Sequence, residues 1–198
     1  MPRRHTMGSS VNIDGVRIRR AVPEDATAIA AVHVRSWQGA YPGLIPQPYL
    51  DALRPEHRLS LWEEALAQTA WPRRGTFVLV GAGGPDADDD GAEDAVVGFA
   101  SLAPTRDDDA DPESVGELQT LYVDPGAWDR GGASRLMDAV VREFRQAGFR
   151  TATLWVLDTN ARARLFYERR GWRPDGATKL HDWGAFVATD VRYRRPLD

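Results

Sequence analysis

From Ala133 through Leu136, Met137, Val140, Val141 and Phe144, apolar residues recur at three- and four-residue intervals, while Arg142, Glu143, Arg145 and Gln146 lie off that stripe. This spacing predicts one amphipathic helix with a core-facing side. Gly148 stands where a left-handed residue ends such a helix, and Thr151 to Leu157 is β-branched, aromatic and apolar, as expected of a buried strand. Upstream, Glu117 to Val123 reads as another strand, stopped by Asp124-Pro125. Strand, helix and strand make a βαβ unit, so the two strands are expected to be parallel with a right-handed crossover. The turn between the first strand and the helix then lies at the carboxyl end of the sheet, where ligands collect.

The same patterning maps the rest of the chain. A strand is expected at Val16 to Arg20, then a helix opened by Pro23-Glu24-Asp25 whose inner face carries Ala26, Ile29, Ala30, His33 and Trp37. Gly39 to Gly43 breaks it, and Pro55 to Gln68 is a second helix with Leu59, Trp62 and Leu66 on one side. Thr76 to Val80 and Val96 to Leu102 are strands, joined by a Gly-, Asp- and Ala-rich segment from Gly81 to Ala95. Asn160 leads a helix that ends at Gly171, Ala177 to Gly184 is a loop or hairpin, and Val187 to Arg192 is a closing strand.

Candidate chemistry sits in the turn Asp124-Pro125-Gly126-Ala127-Trp128-Asp129-Arg130-Gly131-Gly132-Ala133. The first turn of a helix has amide donors without intrahelical partners and carries partial positive charge. A glycine-rich entry there lets an anion such as a pyrophosphate approach the main chain. Glycine pairs also serve simply to make tight turns. A dinucleotide site would want Gly-x-Gly-x-x-Gly directly after the strand; here seven residues intervene and no third glycine follows, although Asp158 could stand in for the ribose-binding acid.

The ordered set of motifs resembles the GNAT superfamily of N-acetyltransferases. Leu121-Tyr122-Val123-Asp124-Pro125 is similar to the family's fourth strand and its exit, and Arg130-Gly131-Gly132-Ala133 to its pyrophosphate loop, with Trp128 where Gln or Arg usually begins that pattern. Asn160 through Gly171-Trp172, with Phe166-Tyr167-Glu168 inside it, resembles the family's Asn-led helix signature. The resemblance implies an α/β fold with a mixed central sheet of six to seven strands flanked by helices, in which the fourth and fifth strands splay apart. It implies acetyl-CoA as co-substrate, bound by the main chain of Leu121, Tyr122 and Val123, by Arg130, Gly131, Gly132, Ala133 and Ser134, and by Asn160. Asn160 is also an N-cap candidate, and one side-chain oxygen cannot fill both roles fully.

Tyr167 matches the family's general acid: a neutral phenol can protonate the departing CoA thiolate. Glu117 occupies the strand position at which related enzymes place a carboxylate and is the candidate base for the acceptor amine, directly or through water. His33, Trp37, Tyr41, Asp182 and Trp183 are the aromatic and acidic residues that could hold a cationic amine, and the same aromatics also suit a core. The expected partner is a small-molecule or peptide amine, with a homodimer compatible. A longer acyl-CoA, a catalytically silent CoA-binding domain and a dinucleotide-binding module are the competing readings.

Composition narrows this further. With 198 residues and 42% apolar content one globular domain is expected, which the resemblance implies is an N-acetyltransferase domain over 16–197 behind a flexible tail at 1–15. The absence of cysteine excludes disulfides and acyl-cysteine intermediates, so acetyl transfer must be direct. His5, His33, His57 and His181 are scattered without ligand spacing, and no metal is expected. No apolar run suits a signal peptide or a membrane span, which points to a cytoplasmic protein. Net charge is -4, but Asp86 to Asp94 and Asp107 to Glu113 carry six and five acids. Without them the remainder is about +7, which suits a CoA phosphate ligand but is too diffuse for nucleic acid. The acidic stretches read as solvated loops, or as a means of drawing a cationic amine toward the site.

Overall fold

The structure, a computed structural model, describes residues 16–81 and 95–197. The expected tail at 1–15, the joint between Gly81 and Ala95, and the acidic stretch 86–94 within it therefore lie outside the described residues.

Seven strands form one mixed sheet: β1 (Val16–Arg20), β2 (Gly75–Gly81), β3 (Ala95–Pro104), β4 (Val115–Val123), β5 (Thr151–Leu157), β6 (Arg173–Asp182) and β7 (Val187–Pro196). Their order is β1-β2-β3-β4-β5-β7-β6. Only β4 and β5 run parallel, joined by α4 (Gly132–Gln146) as the βαβ reading requires. On one face, α1 (Ala26–Ala40) and α3 (Glu56–Ala67) pack Ile29, Ala30, Trp62 and Leu66 against Val78, Val80 and Phe99. On the other, α4 packs Leu136, Met137, Val140 and Phe144 against Phe77, Leu79, Ala100 and Leu118. Being covered on both sides, β2 is buried along its whole length and reads as an unbroken apolar run. Each fully buried Leu, Met or Phe on the α4 stripe stabilises the fold by about 1.5–3 kcal/mol.

Two helices end as their glycines predict. Gly148 has φ 81°, and the Phe149 amide reaches back to the Phe144 carbonyl; Gly171 has φ 80°, and the Trp172 amide reaches back to Tyr167. These bonds are those of a Schellman ending, which tucks the next apolar residue under the helix. In α5 (Ala161–Glu168) that residue is the fully buried Trp172, so the helix bearing Tyr167 is anchored at its end.

The structure differs from expectation in two places. A short helix, α2 (Gln47–Ala52), seats the fully buried Leu50 beside Trp37 and Ile45. At Ala177 to Gly184 the hairpin alternative holds, but as part of a longer strand: 177–182 are the end of β6, which begins at Arg173 and turns at 183–186 into β7. As the sheet's edge strand β6 is polar and largely exposed, so it lacks the apolar alternation by which strands are recognised.

Candidate active site

Parallel pairing between β4 and β5 runs from Val115–Thr151 to Leu118–Leu154 and stops. On its other edge β4 shifts register against β3: Leu102 lies opposite Leu118, but Ser101 lies opposite Thr120. Gln119 is thus the extra residue of a bulge, which bends its strand at the point where β4 leaves β5. The two strands splay as the family resemblance implies, and a cavity of about 650 Å³ opens between them, within the ordinary range for ligand pockets.

The main chain of β4 faces this gap. Asp124 N–H donates to the Val97 carbonyl, so strand alternation turns the polar groups of Val123 and Leu121 away from β3 and toward the cavity. The Val123 carbonyl is already engaged, accepting from Ser36 Oγ at 3.1 Å and Trp128 Nε1 at 2.8 Å. The Leu121 amide and carbonyl and the Val123 amide are the groups left for an extended amide ligand. Trp128 therefore braces the strand end instead of reaching an anion, which accounts for an aromatic residue at a position where the family pattern has Gln or Arg.

Next to the strand end, α4 starts abruptly. Gly131 caps it with φ 75° and no side-chain hydrogen bond, and the first intrahelical bond runs from the Arg135 amide to the Gly131 carbonyl. The amides of Gly132, Ala133 and Ser134 thus lack helical partners and line the cavity mouth. Gly132 also needs its bare Cα: an added Cβ would lie 2.4 Å from Leu79 Cδ2. Positive charge gathers here. Arg162, Arg169 and Arg170 line the same end, Arg170 bonding the Ser134 hydroxyl and stacking at 3.9 Å over Phe166, and Arg162 stacking at 4.3 Å over Trp128. Bare amides, a helix dipole and three guanidiniums fit a diphosphate.

Tyr167 lines the cavity from α5, with its ring against Phe166 and Trp172 and no hydrogen bond to a described residue. Burial, helped by the neighbouring Tyr122, pushes its phenol well above the usual range, so it keeps its proton. Burial likewise raises Tyr41, with Tyr122 beside it adding to the effect. Asn160 caps α5 by accepting from the Ala163 amide at 3.0 Å. Its oxygen is spent on the helix, which leaves the side-chain NH2 for a ligand.

At the far end Glu117 is buried beneath an exposed arginine. Arg106 donates to its carboxylate from Nη2 at 2.9 Å and from its backbone amide at 3.1 Å. Trp37, Tyr41 and Trp183 form an aromatic wall, with ring centroids 5.1 Å apart for Trp37–Tyr41 and 4.9 Å for Trp37–Trp183. Three expected site residues stand elsewhere. His33 lies behind the wall, stacked on Tyr122 at 5.2 Å and accepting from Trp62 Nε1 at 3.2 Å, and burial together with the charge of Arg58 pushes its pKa down to about 3. Asp182 turns outward and accepts from the Gly184 amide at 2.7 Å to hold the β6–β7 turn. Arg130 is exposed and not part of the cavity lining.

The cavity also holds residues that sequence reasoning did not single out: Arg106, Trp155, Lys179, His181 and Asp190. Lys179, His181 and Asp190 are carried in by the polar β6–β7 hairpin; Arg106 is carried by the acidic loop after β3. That loop is largely exposed, yet two of its carboxylates are bound. Asp107 and Asp109 both bind Arg192, whose side chain is 6% exposed, and Asp107 accepts from Trp155 Nε1 at 3.0 Å. The carboxylates of Asp107 and Asp109 are thus tied to the fold. Among the described residues no helix is long and apolar enough to cross a membrane, and no group of three or more His, Cys, Asp or Glu is placed to hold a metal.

Comparison with known proteins agrees with this geometry. The N-acetyltransferase YuaI of Bacillus subtilis, itself uncharacterized, is 32% identical over 154 residues, covering 77% of this chain and 78% of its own. Among solved structures, the PaiA N-acetyltransferase of Thermoplasma acidophilum in complex with coenzyme A superposes with a TM-score of 0.69 at 16% identity, over 91% of this chain and 98% of its own. The putative acetyltransferase YncA of Salmonella typhimurium, solved with acetyl-CoA, gives 0.62 at 18% identity over 92% and 94%. Residues 37–172 match the model of the acetyltransferase (GNAT) family, and with the splayed strands, the bare α4 entry and the Tyr167 helix in one cleft, the chain belongs to that family of acyltransferases.

Proposed function

We propose that this protein transfers acetyl from acetyl-CoA to a primary amine by direct attack within a ternary complex. The observation that carries the reading is one continuous cleft, running from the unpartnered amides of Gly132 to Ser134, past the open main chain of Leu121 and Val123, to the Tyr167 phenol and buried Glu117. The α4 amides and the arginines around them would hold the CoA diphosphate, and the β4 edge would pair with the pantetheine amides. The substrate supplies the activated thioester. Glu117, directly or through a water admitted beside exposed Arg106, takes a proton from the acceptor ammonium; the amine nitrogen then bonds to the acetyl carbon as the carbon–sulfur bond breaks. Tyr167 gives its proton to the leaving sulfur and is reprotonated from solvent, while the new amide nitrogen sheds its second proton to water. Trp37, Tyr41 and Trp183 would wall the acceptor.

Thiol release from acetyl-CoA is the test, with polyamines, aminoglycosides, amino acids and peptide N-termini offered in turn. Amine-dependent release is expected. Binding of acetyl-CoA without amine-dependent release would instead mark a CoA-binding domain, and a thermal shift with NAD but not with acetyl-CoA would overturn the ligand class.

A further inference from the structure

The charge pattern at the β6 end of the cleft identifies the acceptor's class, an inference that rests on the transferase reading above. Five ionisable groups on that wall pair off incompletely. Arg106 and Glu117 neutralise each other at 2.9 Å, and Asp190 faces His181 at 3.3 Å. Lys179 makes no such contact. It lies directly across the hairpin from Asp190, yet its ammonium is placed 4.1 Å over the Trp155 ring and forms no ion pair or hydrogen bond with any described residue.

That placement is built, not incidental. Trp155 is fixed by its Nε1 bond to Asp107 and by the Arg192 guanidinium 5.5 Å from its ring, so the surface under Lys179 is rigid. A ring face engages one side of an ammonium and leaves the remaining N–H donors for a ligand. Half-burial costs this ammonium hydration that the ring only partly replaces, and burial lowers its pKa despite the nearby carboxylates. An anion from outside would complete it.

We propose that the acceptor is an amino-acid-like zwitterion: its carboxylate is held by Lys179 over Trp155, and its amine faces Glu117. A polyamine or aminoglycoside would press a second ammonium against Lys179, and such like-charge contact selects against it. The acetyl step itself is the one described above.

The experiment compares kcat/KM of the full chain, at saturating acetyl-CoA, for the common amino acids, their carboxamides and the matching decarboxylated amines. At least a tenfold advantage for one or more amino acids over the matching amide and amine is expected, and in Lys179→Gln that ratio should collapse toward one. Retention of the acetyl-CoA thermal shift by the variant would show that it is folded. Equal or better turnover of the carboxylate-free amines, or an undiminished ratio in K179Q, would overturn the zwitterion assignment while leaving the transferase reading intact. Absence of thiol release with every amine would defeat both.

Discussion

At the α4 end of the cleft the ligand-facing groups are mostly main-chain amides and come from two short stretches, 121–134 and 160–170. At the β6 end they are side chains, Arg106, Glu117, Lys179 and Asp190, delivered by separate segments and fixed by ion pairs and ring contacts. The first end is suited to a ligand that never changes, because backbone donors in a helix entry persist through side-chain substitution. The second can be rewritten residue by residue without disturbing the sheet. The contrast separates a general binding half from a half that sets acceptor choice.

The largest effect is expected where the two halves meet. Tyr167→Phe should lower kcat by about 10²- to 10⁴-fold with little change in KM for acetyl-CoA, read by steady-state thiol release. Because burial raises the phenol's pKa, the wild type should also show no alkaline loss of kcat from this group near pH 10, where a free tyrosine ionises. Wild-type turnover in the variant would remove Tyr167 from the chemistry.

Arg192→Met sharpens the contrast by damaging only the acceptor half. Arg192 binds Asp107, Asp109 and Asp175, so it holds the loop that sets Arg106 on Glu117. Losing it strands the partly buried carboxylates of Asp107 and Asp175, at a cost of about 3 kcal/mol and a fall in Tm of roughly 6–12 °C. In the surviving folded fraction KM for the acceptor should rise while KM for acetyl-CoA holds. Equal changes in both would mean that the halves are not separable.

The smallest effect concerns the packing behind both. Folded His33 resists protonation down to about pH 3, whereas an unfolded imidazole titrates near 6.5. As pH falls below 6.5 the unfolded state takes up the proton first, so stability is lost by about 1.4 kcal/mol per pH unit until the folded value is reached. Urea unfolding at pH 7 and pH 5 should show about 2 kcal/mol of this loss, absent from the slope of His33→Phe.

The α4 stripe, the glycine entry and the Asn160 helix were legible because each signal is local: periodicity, turn chemistry and capping act over a few residues. In the acceptor half Glu117, Trp37, Tyr41 and Trp183 were legible, and the rest was not, for the same reason. Asp107 and Asp109 look like solvated charge until Arg192, more than eighty residues away, is seen to bind them. His33 and Asp182 had residue types suited to an amine site, but one serves as acceptor for Trp62 and the other holds a turn. Lys179 sits on a polar edge strand whose pattern resembles a loop, so only the fold shows that it faces Trp155.

The claim on which this account depends is that uncovered main-chain donors at the β4 exit and the α4 entry receive acetyl-CoA. Hydrogen exchange at individual amides, with and without acetyl-CoA, tests it directly. Slowed exchange at Val123 and at Gly132 to Ser134 is predicted; unchanged exchange at all four, with protection confined to other parts of the sheet, would contradict it.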